Sequence, residues 1–194
     1  MLLNPGLPLT RHSLSRIRAV LTAVSVPATA VSTGDAAVLI PFCNVRNVPG
    51  ILFEVRAKSL RSHSGEVSFP GGRADPTDLS LMEAALRETH EELSIQPDCV
   101  EVLGQIEPPE LNLRGDLCVY PFIGFVYPTS SAILQPLSEH DPLPSCDLEL
   151  IRASMNPSEV DDVFHVPLSE LISPSRLRPS MFRGSRPYWA VNVF

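Results

Sequence analysis

Residues 80–95, SLMEAALRETHEELSI, carry the strongest helical pattern in the chain. Ser80 followed three positions later by Glu83 forms a capping box, which marks the start of a helix. Apolar or small side chains then recur at steps of three and four, and we expect this face of the helix to pack on a sheet. The face consists of Met82, Ala85, Leu86, Thr89 and Leu93.

Three glutamates, Glu88, Glu91 and Glu92, fall together on a different face of the same helix. Residues three and four apart are neighbours on a helix, so each like-charge pair costs about 0.2–0.5 kcal/mol. A solvated acidic surface is one explanation. The other is a divalent cation such as Mg²⁺, which takes oxygen ligands from carboxylates and substrate phosphates. Arg87, next to Glu88, is positioned to orient a ligand carboxylate.

The segment before the helix favours the cation. Residues 69–72 read Phe-Pro-Gly-Gly, and the glycines allow the backbone to turn sharply and approach a ligand closely. Asp75 and Asp78 add two carboxylates nearby. This combination suits metal-assisted attack of water on a diphosphate, in which the metal neutralises phosphate charge and activates the water.

Residues 72–95 resemble the Nudix box, a pattern of Gly, five residues, Glu, seven residues, then Arg-Glu-apolar-x-Glu-Glu-x-Gly-apolar. The residues that match its ending position for position are Arg87, Glu88, Glu91 and Glu92. Asp78 replaces the first Glu, with one extra residue before Arg87. Thr89 stands at an aliphatic position and Ser94 replaces Gly, which at a helix C-terminus costs about 1 kcal/mol without loss of chemistry.

The upstream residues 56–72 resemble the additional motif of the coenzyme A diphosphatase branch of this family, which ends in His-x-Gly-Glu-Val-x-Phe-Pro-Gly-Gly. The Asp-Pro-x-Asp at residues 75–78 and the extra residue in the box are also typical of that branch, and residues 156–168 resemble another of its segments. Two departures affect substrate placement rather than reaction class: Glu54 stands for Thr and Ala57 for Ser.

The resemblance implies an α/β fold of the α+β type, the Nudix fold, in which a mixed β-sheet is sandwiched between helices. It assigns residues 35–194 to the hydrolase domain. Members of this branch usually continue past a strand similar to residues 187–191 into a final helix. We therefore expect the C-terminal helix to be missing and the domain to be truncated at its C-terminal end. Residues 1–34 are expected to form an N-terminal helix or a targeting segment.

The implied reaction is metal-dependent hydrolysis of the diphosphate bond of coenzyme A or acyl-CoA, with Mg²⁺ or Mn²⁺ as cofactor. Its products would be 3′,5′-ADP and 4′-phosphopantetheine or its acyl derivative. Two alternatives stay open. One is hydrolysis of another nucleoside diphosphate derivative, and the other is a truncated, non-catalytic Nudix binding domain.

Site roles follow from the two motifs. We expect Glu88, Glu91 and Glu92 to bind metal and, with Arg87, to form the catalytic group. Glu91 is either a ligand or the general base. The residues expected to bind substrate are Arg56, Arg61, His63, Gly71 and Gly72, and the alternative for His63 is that it holds the loop by hydrogen bonds. The weaker candidates are Asp78, Lys58 and Glu159, the last as an alternative base or metal ligand; Lys58 and Glu159 have ordinary loop roles as their competing explanation.

The composition of the chain limits the classes of partner that it can bind. Its 194 residues carry a formal net charge of -7, which argues against a general nucleic-acid binder. No apolar run approaches the ~20 residues of a membrane span, so we expect a small-molecule substrate. Residues 1–34 hold arginines but no Asp or Glu, which fits either a helix packed on the domain or a mitochondrial presequence. With relatives of the branch in mitochondria and peroxisomes, we expect one of those locations.

Short apolar runs between turn signals predict the strands of the sheet. These runs are residues 36–42, 51–56, 100–106, 117–127, 163–168 and 188–194. Residues 57–79 and 128–147 are rich in Gly or Pro and predict loops. A one-turn helix is expected at 168–172.

Overall fold

The computed structural model describes residues 4–22, 34–112, 115–182 and 186–191. The helices are α1 Arg11–Thr22, α2 Leu81–Leu93, α3 Ser130–Ile133, α4 Leu148–Ser154 and α5 Leu168–Leu171. The strands are β1 Asp35–Val45, β2 Val48–Arg56, β3 Val67–Ser68, β4 Gly71–Arg73, β5 Val100–Gln105, β6 Glu110–Leu111, β7 Cys118–Val126, β8 Val160–Pro167, β9 Leu177–Phe182 and β10 Arg186–Val191.

The central sheet is mixed, as expected. Its main order is β3-β2-β1-β7-β5, with β8 added beside β2 and β6 beside β7. β1 and β7 run parallel and the other pairs are antiparallel. Because β1 lies at the centre, it is buried on both faces, which explains its nearly continuous apolar run.

One edge of β1 is shared by two partners. Phe42 to Val45 pair with β2, whereas Ala36 to Val38 pair with β4. Between them the Leu39 N–H donates to the Pro70 carbonyl at 2.9 Å. The sheet therefore splits at this edge, and the Phe-Pro-Gly-Gly segment enters the split.

Helices cover both faces of the sheet. Alternate residues of β1 point to opposite sides, so Leu39 joins the core with α2 while Ile40 joins the core with α1. On the α1 side, Leu14 and Ile17 are buried. The hydroxyl of Thr10 accepts a hydrogen bond from the Ser13 N–H at 3.2 Å, and Thr10 thus caps α1.

The sequence located most elements but misassigned part of one helix face. Met82, predicted to pack on the sheet, is 40% exposed, whereas Leu81 is 6% exposed and buried. The prediction was wrong because α2 also turns Glu92, which is 2% exposed, toward the protein. The sequence missed α4 and β9, and it also missed the short elements β3, β4, β6 and α3. None of the helices among the described residues is long and apolar enough to cross a membrane.

Candidate active site

The C-terminal half of α2 faces the split edge of β1. The helix begins at Ser80, whose side chain accepts from the Glu83 N–H. It ends at Ser94, which adopts a left-handed conformation with φ 57°. Ser94 Oγ also donates to the Ser154 carbonyl at 2.6 Å, so a polar contact accompanies the uncommon backbone conformation.

Gly71 and Gly72 let two helix glutamates approach the backbone. The Gly71 N–H donates to Glu92 Oε2 at 2.8 Å. A Cβ on Gly72 would lie 2.5 Å from the carboxylate carbon of Glu88. Any larger residue at position 72 would therefore occupy the space that the Glu88 carboxylate fills.

Glu92 shares the guanidinium of Arg56 with a second buried acid, Glu54 of β2. Arg56 Nη1 lies 3.2 Å from Glu92 Oε1 and 3.6 Å from Glu54 Oε1. The Ser68 hydroxyl donates to Glu54 Oε1 at 2.9 Å. Glu54 Oε2 is buried with no hydrogen-bond partner among the described residues.

Burial disfavours the charged forms of these acids. It raises the pKa of Glu92 to about 8, with a further contribution from Glu54. Burial likewise raises the pKa of Glu54 to about 6, opposed by the Ser68 hydrogen bond and the Arg56 charge. The pKa of Glu88 is also raised, first by burial. Because opposite charges favour carboxylate ionisation, this cluster favours an added cation.

Arg87 binds the acids on the outer side of α2. Its guanidinium donates to both oxygens of Asp78 at 3.0 Å each. Its Nη1 donates to Glu88 Oε1 at 3.0 Å and to Glu91 Oε2 at 3.2 Å. Hydrogen bonding to Arg87 lowers the pKa of Asp78. Asp78 thus orients Arg87, which in turn holds Glu88 and Glu91.

The remaining candidates lie around the edge of this cluster. Glu159 is half-buried, and its charge raises the pKa of both Glu54 and Glu88. Lys58, Arg61 and His63 are exposed on the turn between β2 and β3. His63 Nδ1 lies 2.8 Å from a carboxylate oxygen of Glu66. Of the basic candidates Arg56, Lys58, Arg61 and His63, only Arg56 is paired with the buried acids Glu54 and Glu92.

The donor set suits a hard divalent cation. No three His, Cys, Asp or Glu side chains among the described residues converge as a ready-made ion site. Glu88, Glu91 and Glu92 instead make ion pairs with Arg87 or Arg56. The unpartnered oxygen of Glu54 and the surrounding carboxylate oxygens are the type of ligand that Mg²⁺ and Mn²⁺ take.

Sequence reasoning missed Glu54 as a member of the cluster. It noted the residue only as a departure from the branch motif. The available signal was an acid two residues after Leu52, on the same face of a strand that is otherwise buried. An acid in that pattern indicates a polar site rather than a core position.

A family model described as the NUDIX domain matches residues 35–186. The chain belongs to the Nudix family. Similar proteins include the uncharacterized Nudix hydrolase NudL of Enterobacter sp. (strain 638), which is 39% identical over 145 residues, 75% of this chain and 63% of that protein. The NudL of Salmonella heidelberg (strain SL476) is 38% identical over 168 residues, 87% of this chain and 74% of that protein.

The extent of the match differs among these Nudix relatives. NudL of Photorhabdus laumondii is 42% identical over 141 residues, 72% of this chain and 62% of that protein. The chain thus spans 63% and 62% of the Enterobacter and Photorhabdus proteins. Nudix hydrolases act on diphosphate compounds and generally use divalent metals such as Mg²⁺ or Mn²⁺.

The expected location was wrong. The relatives named above are bacterial proteins, and bacteria contain neither mitochondria nor peroxisomes. The acid-poor composition of residues 1–34 fitted either a helix packed on the domain or a targeting segment. In the structure, residues 11–22 of this stretch form α1, whose apolar side chains contribute to the core on the second face of the sheet.

Solved Nudix structures resemble this chain at low identity. RenU, a Nudix hydrolase from M. smegmatis, is 17% identical with a TM-score of 0.47, covering 70% of this chain and 71% of that chain. A MutT/nudix family protein from Enterococcus faecalis is 16% identical with a TM-score of 0.43, covering 79% of this chain and 50% of that chain.

Proposed function

We propose that this Nudix chain hydrolyses the diphosphate bond of coenzyme A and acyl-CoA with Mg²⁺ or Mn²⁺. The products would be 3′,5′-ADP and 4′-phosphopantetheine or its acyl derivative. The observation that carries the proposal concerns residues 56–72, which resemble the coenzyme A branch motif. Both ends of this segment contact Glu92, through Arg56 Nη1 at 3.2 Å and the Gly71 N–H at 2.8 Å.

This double contact supports joint action of the substrate motif and the catalytic helix. Since Glu92 is a proposed metal ligand, a substrate bound by the turn between β2 and β3 would have its phosphates near the cation. Lys58 and Arg61 are exposed on that turn and suited to phosphate contact. His63, through its contact with Glu66, would hold the shape of the turn.

Glu88 and Glu92 are the residues that would hold the cation, and Glu91 would act as the general base or as a third ligand. The metal would neutralise phosphate charge and lower the pKa of a bound water. Arg87 holds the carboxylates of Glu88 and Glu91 in position by hydrogen bonds. The Glu91 side chain is 50% exposed, which leaves it accessible to accept a proton from the attacking water.

Gly71 and Gly72 would serve substrate binding by keeping this edge of the sheet free of side chains. Glu159 is the second candidate for the base because its charge acts on Glu88 from the loop before β8. The two candidates are separable, since loss of the base lowers kcat while metal binding is retained. We expect Glu91→Gln to show that pattern and Glu159→Gln to leave kcat within about threefold.

The proposal is tested by incubating the protein with coenzyme A and Mg²⁺ or Mn²⁺ and measuring 3′,5′-ADP by chromatography. Glu92→Gln should abolish product. Glu139→Gln removes the same charge at an exposed position beside α1, which packs on the sheet face opposite α2, and serves as the matched control. Turnover of a nucleotide sugar without turnover of coenzyme A would refute the substrate assignment. Absence of turnover for every diphosphate tested would refute the hydrolase.

A further inference from the structure

Glu54 occupies a position in β2 where a carboxylate needs an explanation. Residues 52, 54 and 56 lie on the same face of the strand. Leu52 is fully buried in the core with α2, and Glu54 is also 0% exposed. An ionised carboxylate is costly to bury unless it is paired and hydrogen-bonded.

Only one of the two oxygens of the Glu54 carboxylate accepts a hydrogen bond from the described residues. Glu54 Oε1 accepts from the Ser68 hydroxyl at 2.9 Å. The nearest guanidinium nitrogen, Arg56 Nη1, is 3.6 Å from the same oxygen, beyond hydrogen-bonding distance. Glu54 Oε2 has no partner among the described residues, and buried polar atoms without a partner are rare.

Among the described residues, the guanidinium paired with Glu54 is that of Arg56, and Glu92 shares it. Arg56 Nη1 lies closer to Glu92, at 3.2 Å, than to Glu54. Glu88 and Glu159 add negative charge near Glu54. The buried acids that Arg56 contacts therefore outnumber the positive charges around them, and the free oxygen of Glu54 lies within this excess of negative charge.

We propose that Glu54 is an additional carboxylate ligand for the divalent cation of the α2 glutamates, with Oε2 as the ligating atom. This inference rests on the proposed metal-dependent function. Mg²⁺ and Mn²⁺ take carboxylate oxygens as ligands, so the cation would supply the partner that Oε2 lacks. The threonine of the branch motif would provide a neutral hydroxyl instead, so this chain is predicted to bind its cation with one more negative charge.

The test measures Mn²⁺ binding directly, by electron paramagnetic resonance of the free ion and by calorimetry, in the full chain. Glu54→Gln preserves the size of the side chain and removes its charge, and Glu54→Thr introduces the residue of the branch motif. Both should weaken Mn²⁺ binding by about tenfold or more. Glu139→Gln should bind as the unchanged protein does.

Stability without metal controls for misfolding. Because Glu54→Gln removes a poorly paired buried charge, its midpoint of thermal unfolding in EDTA should equal or exceed that of the unchanged protein. The rise in this midpoint on adding Mn²⁺ should be smaller than in the unchanged protein. Glu54→Thr provides a second variant in which the same comparison can be made.

A double-mutant cycle with Arg56→Gln separates ligation from an indirect effect through the guanidinium. A ligating Glu54 predicts that Glu54→Gln weakens Mn²⁺ binding in both backgrounds. Disappearance of the effect in the Arg56→Gln background would overturn the inference and make Glu54 a positioning residue. Unchanged Mn²⁺ binding in Glu54→Gln, with coenzyme A still hydrolysed, would overturn it alone. Absence of Mn²⁺ binding by the unchanged protein would overturn it together with the proposed function.

Discussion

Adjacent glycines at the split edge of the sheet should respond in opposite ways to the same substitution. A Cβ on Gly72 would meet the Glu88 carboxylate carbon at 2.5 Å, which is the end of a flexible side chain. A Cβ on Gly71 would meet the Ala37 carbonyl oxygen at 2.3 Å and the Val38 Cα at 2.6 Å, which are fixed backbone atoms. Gly71 also has φ 150°, a conformation that alanine rarely adopts.

The expected losses of activity and stability depend on which atoms each substitution displaces. In Gly72→Ala the Glu88 carboxylate must shift by about 1 Å to restore contact distance, and misplacement of that size can lower catalysis by about 100-fold. Its stability should change by less than about 1 kcal/mol, because reduced freedom of the unfolded chain offsets some of the strain. In Gly71→Ala the central strand itself must move, which should cost about 2–4 kcal/mol.

Two measurements on each variant separate the effects. Urea unfolding gives the change in free energy, and hydrolysis of coenzyme A with Mg²⁺ gives the change in kcat/KM. We expect Gly72→Ala to be stable and nearly inactive, and Gly71→Ala to be unstable. Full activity of Gly72→Ala, or a larger loss of stability for Gly72→Ala than for Gly71→Ala, would refute the close packing of Glu88 on the loop.

Other variants test the pH response, the second core and the arginine network. Burial lowers the pKa of His165 from 6.5 to about 4. As the pH falls, the unfolded chain therefore binds a proton at this residue before the folded protein does. The contribution of neutral His165 to the free energy of unfolding is complete above pH 6.5 and falls by up to about 2 kcal/mol toward pH 4 after solvent screening. When urea unfolding is measured at pH 7 and pH 5, His165→Gln should reduce the difference in the free energy of unfolding between the two pH values. An unaltered difference would exclude His165 as its source. Leu14→Ala should destabilise the fold by about 2–5 kcal/mol while leaving Mn²⁺ affinity within twofold; a loss below 1 kcal/mol would contradict the packing of α1 on the sheet. Arg87→Lys loses the two-point contact with Asp78 and should lower kcat at least tenfold with little change in thermal stability, whereas unchanged kcat would show that Glu88 needs no such support.

Local sequence patterns predicted the elements that local interactions define. The capping box placed the start of α2 correctly, since Ser80 caps the helix in the structure. The apolar run at residues 36–42 lies within β1. By contrast, α4 is only 7 residues long, so its apolar side chains Leu148 and Ile151 cover too few turns to indicate a helix, although both pack against the core.

The packing of the site depends on contacts that no local pattern records. The sequence predicted Glu92 as a metal ligand beside Glu88 and Glu91, but it gave no sign that this side chain is buried. It is buried because Arg56 and Gly71, which lie 36 and 21 positions earlier in the chain, both contact its side chain. The motif resemblance placed these residues in one site, but their burial depends on how β2 and β4 divide the edge of β1.

The two contacts of Glu92 with residues 56–72 have a thermodynamic consequence. Each carboxylate oxygen can accept more than one partner. A metal ion at Glu92 would therefore share the carboxylate with Arg56 on one oxygen and with the Gly71 N–H on the other. Occupancy of the metal and order of the turn would then depend on one another. Linkage requires that substrate tighten metal binding by the same factor by which metal tightens substrate binding.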